Sequence, residues 1–198
     1  MKIISYEQGS EEWLQWRSEK ITSSDAAVIL GLNKYSNANK LWHEKMGLVP
    51  RLTTNHHMER GTRLEPLARQ LFIETTGIDV MPMVVEHDEL FWMGASLDGI
   101  DNSRRTIIEI KCPAWSQHEN EIAPMYKAQM QHHLYASGAE ICFYVTYIEH
   151  LEQKINIIEV SRDEQFMQNM VDAEYAFYRE FLCGFKQPPL RWKYKKAA

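Results

Sequence analysis

The stretch from Gly94 to Pro113 constrains this chain more than any other, because it places charged groups where a fold would otherwise bury apolar ones. Asp98 follows a short apolar segment and is expected at a turn, and a polar loop then leads into the alternating segment 106–111. Strand side chains alternate between the two faces of a sheet, so Glu109 and Lys111 should share a face. Two carboxylates and an ammonium that meet at neighbouring strand ends make a poor core, but they can hold a divalent cation and a nucleophilic water.

The composition is that of one globular domain, since the chain has 198 residues, 44% of them hydrophobic and 25% charged. We predict a single domain over 1–198, with a helical part at 1–57, a core at 58–160 and a final helix with a basic tail at 161–198. The N-terminus does not resemble a signal peptide, and no apolar run approaches the roughly 20 residues of a membrane span. Three cysteines without CxxC spacing argue against a disulfide framework. These observations predict a protein of the cytoplasm.

The net charge of −5 is unusual for a protein that binds nucleic acid over a large surface. It does not exclude such a protein, because a bound cation neutralises the carboxylates of a metal site and because contact with DNA needs only a local basic surface. The charge therefore argues only against tight non-specific binding of duplex DNA by one subunit. The candidate basic groups are Arg60 with Arg63, Arg104 with Arg105, and the tail 191–196.

Two short helices are predicted near the N-terminus, with an arginine at their junction. The first spans 10–19, and the second spans 26–30 and is opened by the cap-like run 22–25, which includes Ser24. Arg17 would lie beside the start of the second helix, where hydroxyls, backbone amides and the helix dipole favour an anion. Ordinary N-capping with a surface arginine explains the same local sequence, so both interpretations stay open.

Hydrophobic periodicity predicts the remaining helices and strands. The expected helices span 37–47, 58–76, 122–137 and about 164–185. The expected strands span 80–86, 90–93, 106–111, 141–148 and 154–160, with the first two paired as a hairpin, and 50–56 is expected to be a loop. This order is the αβββαβ plan of restriction-endonuclease-like proteins. We therefore predict an α/β fold with a central mixed β-sheet flanked by helices and with an N-terminal helical extension.

Two helical side chains are candidates to join the charged strands. Glu65 precedes Pro66, which indicates a kink or a new first turn that would let Glu65 face the strands; a solvated helix glutamate is the alternative. Gln129 can position a water or a phosphate oxygen, and His133 is its i+4 neighbour. His132 and His133 diverge on a helix and lack an HExxH pattern, so we do not expect a zinc site there.

The charged constellation suits phosphodiester hydrolysis. That reaction needs an activated water, neutralised charge on the phosphorus oxygens and help for the leaving group, all of which divalent metals supply. Mg²⁺ is often held by one or two carboxylates and takes its other ligands from water and substrate. Asp98 and Glu109 fit this requirement, with the backbone carbonyl of Ile110 as a third protein ligand. Lys111 can orient the attacking water, and Glu65 can complete the outer shell or bind a second metal.

The chain resembles the phage lambda exonuclease family, the YqaJ-like viral recombinases with a PD-(D/E)xK nuclease core. The resemblance covers most of the chain, from Trp13 to about Met167, and its motifs are specific when taken together. The segments that carry it are 13–24, 60–72, 96–99, 109–113 and 126–131.

This resemblance implies a magnesium-dependent, ATP-independent exonuclease that degrades the 5′-phosphorylated strand of linear duplex DNA and leaves a 3′ overhang for phage recombination. It implies two Mg²⁺ ions, for which Mn²⁺ can substitute. The implied metal ligands are Asp98, Glu109 and Ile110, and the implied catalytic set is Lys111, Glu65, Gln129, Asp98 and Glu109. The implied 5′-phosphate pocket is Arg17, Ser24 and Ser96, and Met58 is the implied wedge at the terminal base pair.

The resemblance also implies partners. They are double-stranded DNA ends, two further copies of the chain in a toroidal homotrimer, and a phage single-strand annealing protein in the cytoplasm of a bacterial host. The loop between Lys111 and the helix of Gln129 is compact for this family, which puts its channel contacts in doubt. Two other functions stay open: a site-specific or structure-specific endonuclease of the same fold, and a non-catalytic protein that binds DNA ends.

Overall fold

The computed structural model describes residues 1–49, 56–114, 117–118 and 120–194. Within these ranges, one sheet of six strands runs in chain order. The strands are β1 (Lys2–Ile4), β2 (Val80–Glu86), β3 (Gly94–Asp101), β4 (Thr106–Lys111), β5 (Ile141–Tyr147) and β6 (Ile155–Ser161). Strands β4 and β5 are parallel, and the other neighbouring pairs are antiparallel. The sheet is therefore mixed, as predicted.

The helices follow the predicted order. They are α1 (Glu11–Glu19), α2 (Ser23–Ile29), α3 (Ala38–Lys45), α4 (His56–Thr76), α5 (Pro124–Ser137) and α6 (Glu164–Phe177), and a π-helical segment, Tyr178–Cys183, continues α6. Helix α5 joins β4 to β5, because parallel neighbours need a crossover connection. The run α4–β2–β3–β4–α5–β5–β6 confirms the αβββαβ prediction. Among the described helices, none combines the length and the apolarity needed to cross a lipid bilayer.

Helices cover both faces of the sheet. On one face, α4 packs through Leu64, Ala68 and Phe72 against Ile108 and Ile110 of β4. On the other face, α2, α3, α5 and α6 form the larger core. Full burial of an aliphatic or aromatic side chain is worth about 1.5–3 kcal/mol before the loss of conformational entropy is counted. The buried members of the larger core include Ile29, Leu41, Met130, Leu134, Met170, Ala173, Phe177 and Phe181.

Strand β4 distributes its side chains between the two layers. Ile108 and Ile110 face α4, whereas Ile107 belongs to the core on the opposite face. The two-residue period of a strand puts Glu109 and Lys111 on the side of Ile107, toward α5. The prediction that these two charged side chains share a face is confirmed.

The predicted hairpin is wrong in its second strand. Residues 90–93 form no strand, and β2 pairs instead with β3, which begins at Gly94. The N–H of Ile21 donates to the Trp92 carbonyl at 2.7 Å, and the N–H of Gly94 donates to the Ile21 carbonyl at 3.0 Å. Trp92 and Met93 are buried next to this α1–α2 connection, whereas Phe91 is 66% exposed, and the segment does not pair with β2 as a strand. As a consequence, Asp98 lies inside β3 and not at a turn.

Helix α2 begins at Ser23 and not at residue 26. Thr22 is its N-cap, and both the N–H and the hydroxyl of Thr22 donate to Asp25 Oδ2, at 2.8 and 2.9 Å. The Asp25 carboxylate thereby satisfies the backbone N–H of the N-cap residue, which the helix itself leaves without an acceptor. Most of the cap-like run 22–25 is therefore the first turn of the helix itself.

Helix α4 runs through Pro66 without a new first turn. Proline removes one helical donor, but Leu64 and Phe72 are fully buried on either side of it and hold the helix against the sheet. The expected loop at 50–56 is only partly testable, because residues 50–55 lie outside the described residues. His56 belongs to α4 and not to a loop.

Candidate active site and anion pocket

Asp98 lies where strands β3 and β4 separate. The pairing between the two strands ends at Gly99 and Ile108. Beyond that point the carboxylate takes the place of a backbone acceptor, since the N–H of Ile110 donates to Asp98 Oδ2 at 2.7 Å. This contact fixes the Asp98 carboxylate in the gap between the strands, next to the charged end of β4.

Glu109 and Lys111 form an ion pair on the α5 side of β4. The Glu109 side chain is 1% exposed and the Lys111 side chain is 25% exposed, so the ammonium reaches solvent and the carboxylate does not. Lys111 Nζ lies 5.2 Å from the ring centroid of Tyr126 on α5. Further along α5, His133 Nδ1 lies 3.5 Å from Glu109 Oε2. Helix α5 thus contacts Lys111 through Tyr126 and Glu109 through His133.

Glu65 reaches the same site from the opposite face of the sheet. Arg69, one helical turn later on α4, donates through Nη2 to Glu65 and through Nε to the backbone oxygen of Asp98 at 2.6 Å. This pair of hydrogen bonds ties α4 to β3 beside the carboxylate of Asp98. The structure therefore brings Glu65 to the strands, although no helix break turns it there.

The three carboxylates and the lysine shift one another's pKa values. Burial and then the charge of Glu109 raise the pKa of Asp98 to about 7. Burial and then the charge of Asp98 raise the pKa of Glu65 to about 7. Burial raises the pKa of Glu109 against the attraction of Lys111. Burial disfavours the ammonium of Lys111, but Glu109 and Asp98 outweigh it and raise the pKa of Lys111. A bound cation would relieve this repulsion between carboxylates.

The donor set suits a hard divalent cation that keeps part of its hydration. Among the described residues, Glu109 Oε2 is buried and makes no hydrogen bond, which leaves it available to a ligand. No three His, Cys, Asp or Glu side chains of the described ranges group closely enough to form a metal site by themselves. Asp98 and Glu109, supplemented by the carbonyl of Ile110, match the few oxygen ligands with which proteins often bind Mg²⁺.

Gln129 lies on the face of α5 that meets β4. Tyr126, three residues before it, lies under Lys111, and His133, four residues after it, approaches Glu109. Residues at these spacings share one helical face. Gln129 is thus placed between two contacts with the charged strand, while its role stays a prediction.

Met58 lies in the first turn of α4 and is 50% exposed. Two residues later, Arg60 Nε donates to the backbone oxygen of Cys112 at 3.2 Å, just beyond the end of β4. The start of α4 therefore borders the charged end of β4, where an exposed apolar side chain can meet a substrate. The wedge role of Met58 stays a prediction.

The predicted anion pocket assembles around Trp13 of α1. The Arg17 guanidinium lies 5.1 Å from the centroid of the Trp13 ring, and its Nη2 donates to Ser24 Oγ at 2.6 Å. On the other side, Trp13 Nε1 donates to Ser96 Oγ at 2.8 Å. Arg17, Ser24 and Ser96 are therefore brought together, although they belong to α1, α2 and β3.

A buried ion pair lies behind this pocket. Lys45 Nζ is 2.6 Å from Asp25 Oδ2, and the two side chains are 4% and 9% exposed. The ammonium of Lys45 also donates to the backbone oxygens of Arg17, at 3.0 Å, and Lys20, at 2.5 Å. The Thr22 N–H at the start of α2 is already bonded to Asp25 Oδ2, so this amide is not available to an anion.

The ion pair between Asp25 and Lys45 should make the stability of the folded protein fall at acidic pH. Burial opposes the charged carboxylate, but Lys45 and Arg17 together outweigh it and hold the pKa of Asp25 below its ordinary value of 3.8. A lowered pKa in the folded state stabilises the protein above pH 3.8, and that contribution is lost as the pH falls through the folded-state pKa. We expect the difference in unfolding free energy between the protein and Asp25→Asn to shrink below pH 3.8. Urea titrations across pH measure it, and a difference independent of pH would contradict the assignment.

Three residues of the site were given no role by the sequence analysis, namely Trp13, Arg69 and Tyr126, and His133 was considered only as the neighbour of Gln129 and as a zinc ligand. Trp13 reads as part of an apolar stripe. The i,i+4 spacing of Glu65 and Arg69 was a usable signal, and so was the seven-residue spacing of Tyr126 and His133 on one face of α5. None of these spacings indicates which strand the helix will meet.

Comparison with known sequences identifies a family over most of this chain. Residues 12–140 match the profile of the YqaJ-like viral recombinase domain. The uncharacterized protein YqaJ of Bacillus subtilis (strain 168) is 28% identical over 195 residues, which cover 93% of this chain and 60% of that protein. The uncharacterized protein R354 of Acanthamoeba polyphaga mimivirus is 24% identical over 159 residues, which cover 71% of this chain and 29% of that protein. The chain thus spans less than two thirds of the length of these curated relatives.

Solved structures share the fold. An alkaline exonuclease from Laribacter hongkongensis, LHK-Exo, matches with a TM-score of 0.77 and 28% identity, over 88% of this chain and 94% of that one. LHK-Exo in complex with dAMP matches with a TM-score of 0.74 and 27% identity, over the same shares of 88% and 94%. A phage-related exonuclease from Haemophilus somnus 129PT, with a TM-score of 0.63, 17% identity and coverage of 84% and 96%, shares the fold alone. These similarities confirm the predicted restriction-endonuclease-like α/β architecture.

Proposed function

Because this chain belongs to the YqaJ-like viral recombinase domain family, we propose that it is a metal-dependent exonuclease that acts on the ends of double-stranded DNA. It degrades the 5′-phosphorylated strand in the 5′-to-3′ direction and leaves a 3′ single-stranded overhang for phage recombination by single-strand annealing. The similarity to an alkaline exonuclease, and to the same enzyme in complex with the mononucleotide dAMP, supports this proposal.

One observation carries the proposal: strand β3 contributes a residue to the anion pocket and a residue to the cluster of carboxylates. Ser96, which Trp13 links to Arg17, and Asp98, which meets β4 at Ile110, lie two residues apart on the same strand. Two strand residues span about 7 Å. A terminal phosphate at the pocket would therefore leave a nearby phosphodiester beside Asp98, Glu109 and Lys111. Burial, and to a lesser extent the charge of Arg17, lowers the pKa of His133, whose Nδ1 lies 3.5 Å from Glu109 Oε2.

The roles of the residues follow from their chemistry. Asp98, Glu109 and the Ile110 carbonyl would hold Mg²⁺, which when bound supplies charge neutralisation and an acidified water. Lys111, raised in pKa and partly exposed, stays an ammonium and orients the attacking water. Gln129 positions the water or a phosphate oxygen. Glu65, held by Arg69, completes the outer shell.

Pocket and wedge residues position the DNA end. Arg17 binds the 5′-phosphate through charge-assisted hydrogen bonds, and Ser24 and Ser96 donate their hydroxyls to the remaining oxygens. Met58, exposed at the start of α4, inserts against the terminal base pair and helps to separate the strands.

A duplex labelled at one end tests polarity, end requirement and metal dependence together. We expect digestion from the 5′-phosphorylated end in Mg²⁺ or Mn²⁺, no digestion in EDTA, and recovery when Mg²⁺ is added back. Covalently closed circular DNA should resist, since it has no end. Rapid cutting of the circle would favour a site-specific or structure-specific endonuclease, and end binding without digestion would favour a non-catalytic end-binding protein.

Arg17→Ala should remove the preference for 5′-phosphorylated ends. The loss of a charge-assisted hydrogen bond of about 1.5–3 kcal/mol corresponds to a drop of roughly tenfold to a hundredfold in the ratio of kcat/KM on phosphorylated and hydroxyl ends. Digestion rates on matched duplexes measure this ratio. Arg105→Ala is the control, because Arg105 is exposed and pairs with Glu140 away from this pocket, so that any contact it makes with DNA is lost equally for both kinds of end and the ratio stays unchanged. An unchanged ratio in Arg17→Ala would remove Arg17 from the pocket.

We also propose that the chain acts as a toroidal homotrimer around DNA in the cytoplasm of a bacterial host and hands its product to a phage single-strand annealing protein. A ring would make digestion processive, and only its channel would need to be basic, which agrees with a net charge of −5. Size-exclusion chromatography coupled to light scattering measures the molecular mass in solution and so tests the trimer. A mass of one 23.3 kDa chain would contradict it.

A further inference from the structure

The anion pocket contains a negative charge of its own, and this is an obstacle to binding a phosphate. Asp25 lies one residue after Ser24, and its carboxylate interacts electrostatically with Arg17. The carboxylate is buried, so water screens it poorly. Without a further cation, Asp25 would offset the one positive charge that the pocket directs at an anion.

Lys45 supplies that cation from behind. Its ammonium contacts Asp25 Oδ2 at 2.6 Å, and its side chain is 4% exposed, so a substrate cannot reach it. The same ammonium also donates to the backbone oxygens of Arg17 and Lys20 at the end of α1. One buried group therefore contacts the carboxylate next to the pocket and the backbone of the arginine within it.

We propose that Lys45 is a positioning residue of the anion pocket, which neutralises Asp25 so that the charge of Arg17 is available to a terminal phosphate. This inference rests on the proposed function. With Lys45, Asp25 and Arg17 present, the three charges sum to +1 at the pocket. Without Lys45 they sum to zero, although every residue that touches the phosphate is unchanged.

The test measures the pocket directly and without catalysis. The full-length protein is titrated, in EDTA, into a fluorescent duplex with either a 5′-phosphate or a 5′-hydroxyl at its free end, and anisotropy gives the affinity ratio of the two ends. We expect Lys45→Met to lower this ratio by about tenfold, and Lys45→Arg, which keeps the charge, to retain it within about threefold. A folded Lys45→Met that keeps the wild-type ratio would overturn the inference.

The double variant Asp25→Asn/Lys45→Met separates charge from structural damage. It lacks both buried charges and again leaves Arg17 with a net charge of +1, so it should regain the affinity ratio that Lys45→Met loses. A ratio as low as that of a folded Lys45→Met would overturn the role in charge balance. A merely structural lysine would change thermal stability in these variants without this pattern.

Asp25→Asn alone tests the same balance if Lys45→Met does not fold. With Lys45 unopposed, the charges sum to +2, and the affinity ratio should rise by about threefold or more. An unchanged ratio would overturn the inference. A wild-type protein that shows no preference for 5′-phosphate ends would instead overturn the pocket of the proposed function, and this inference with it.

Discussion

Replacing Lys111 with alanine is expected to lower the rate of DNA digestion by about a thousandfold, because a positioned charged group that orients water or stabilises developing charge contributes about 10²–10⁴ to the rate. The ammonium is partly exposed, contacts Glu109 and lies over the ring of Tyr126, so alanine removes the charge without a change in the backbone of β4. Single-turnover digestion of a 5′-phosphorylated duplex at saturating protein measures the chemical step. Lys154→Ala, an exposed lysine before β6, is the control.

The affinity of this variant for the DNA end shows whether its lower digestion rate comes from slower catalysis or from weaker binding. Arg17, Ser24 and Ser96 are untouched, so Lys111→Ala should still prefer 5′-phosphorylated ends in EDTA. Lys111→Arg should recover little activity, because a planar guanidinium cannot replace a compact ammonium at a buried carboxylate. A Lys111→Ala protein that digests DNA at the wild-type rate would show that the lysine is not catalytic.

Replacing Glu174 with alanine is expected to lower the free energy of unfolding by about 3–5 kcal/mol, the cost of breaking a buried ion pair by removing one partner. His132 Nδ1 lies 2.8 Å from Glu174 Oε1, and both side chains are 0% exposed. The carbonyl of Gly94 can only accept a hydrogen bond, so His132 Nε2 carries a proton and donates to it at 3.0 Å. The hydrogen bond between His132 Nδ1 and Glu174 Oε1 therefore contains a second proton, which lies between these two groups. Burial opposes a charged histidine, but Glu174 outweighs it and raises the pKa of His132, while burial raises the pKa of Glu174 against the attraction of His132; the geometry, with His132 Nε2 on a carbonyl, favours the charged pair.

Urea denaturation measures this loss, and for a chain of this size it corresponds to a fall in Tm of about 10 °C. Glu164→Ala is the control on the same helix, because Glu164 is exposed and pairs with Arg162 at the surface, where a substitution usually changes stability by less than about 0.5 kcal/mol. A loss below about 1 kcal/mol in Glu174→Ala would show that His132 is neutral and needs no carboxylate. We also expect this substitution to disturb the site, because His132 contacts Gly94, the first residue of the strand that carries Ser96 and Asp98.

Gly94 shows how tightly that strand is built into the core. A Cβ atom at Gly94 would lie 2.5 Å from the Trp16 ring, so α1 can approach β3 closely only where no side chain intervenes. The same approach lets Trp13, one turn earlier on α1, reach Ser96. The anion pocket therefore depends on packing between α1 and β3 and not on the pocket residues alone.

The local patterns of the sequence were sufficient for several elements. Strand β4 matches its prediction at both ends, and the period of two correctly put Glu109 and Lys111 on one face. The helix of Gln129 ends as predicted, before Gly138, whose φ of 73° is left-handed backbone that suits glycine. The two adjacent histidines diverge as expected, His132 toward Glu174 and His133 toward Glu109. All of these depend on spacing along the chain, which a sequence records directly.

Only the tertiary structure decided where these elements meet. The segment 90–93 reads as a strand, but its Trp92 carbonyl accepts from the N–H of Ile21, and β3 instead begins at Gly94 and carries Asp98 within it. Asp98 is held by the N–H of Ile110 because β3 and β4 separate there, and no local pattern reports where two strands part. In Gly94 to Pro113 the sequence by itself determined the chemistry, two carboxylates and a lysine. The fold decided their pKa values and their neighbours, because burial and long-range contact are properties of packing.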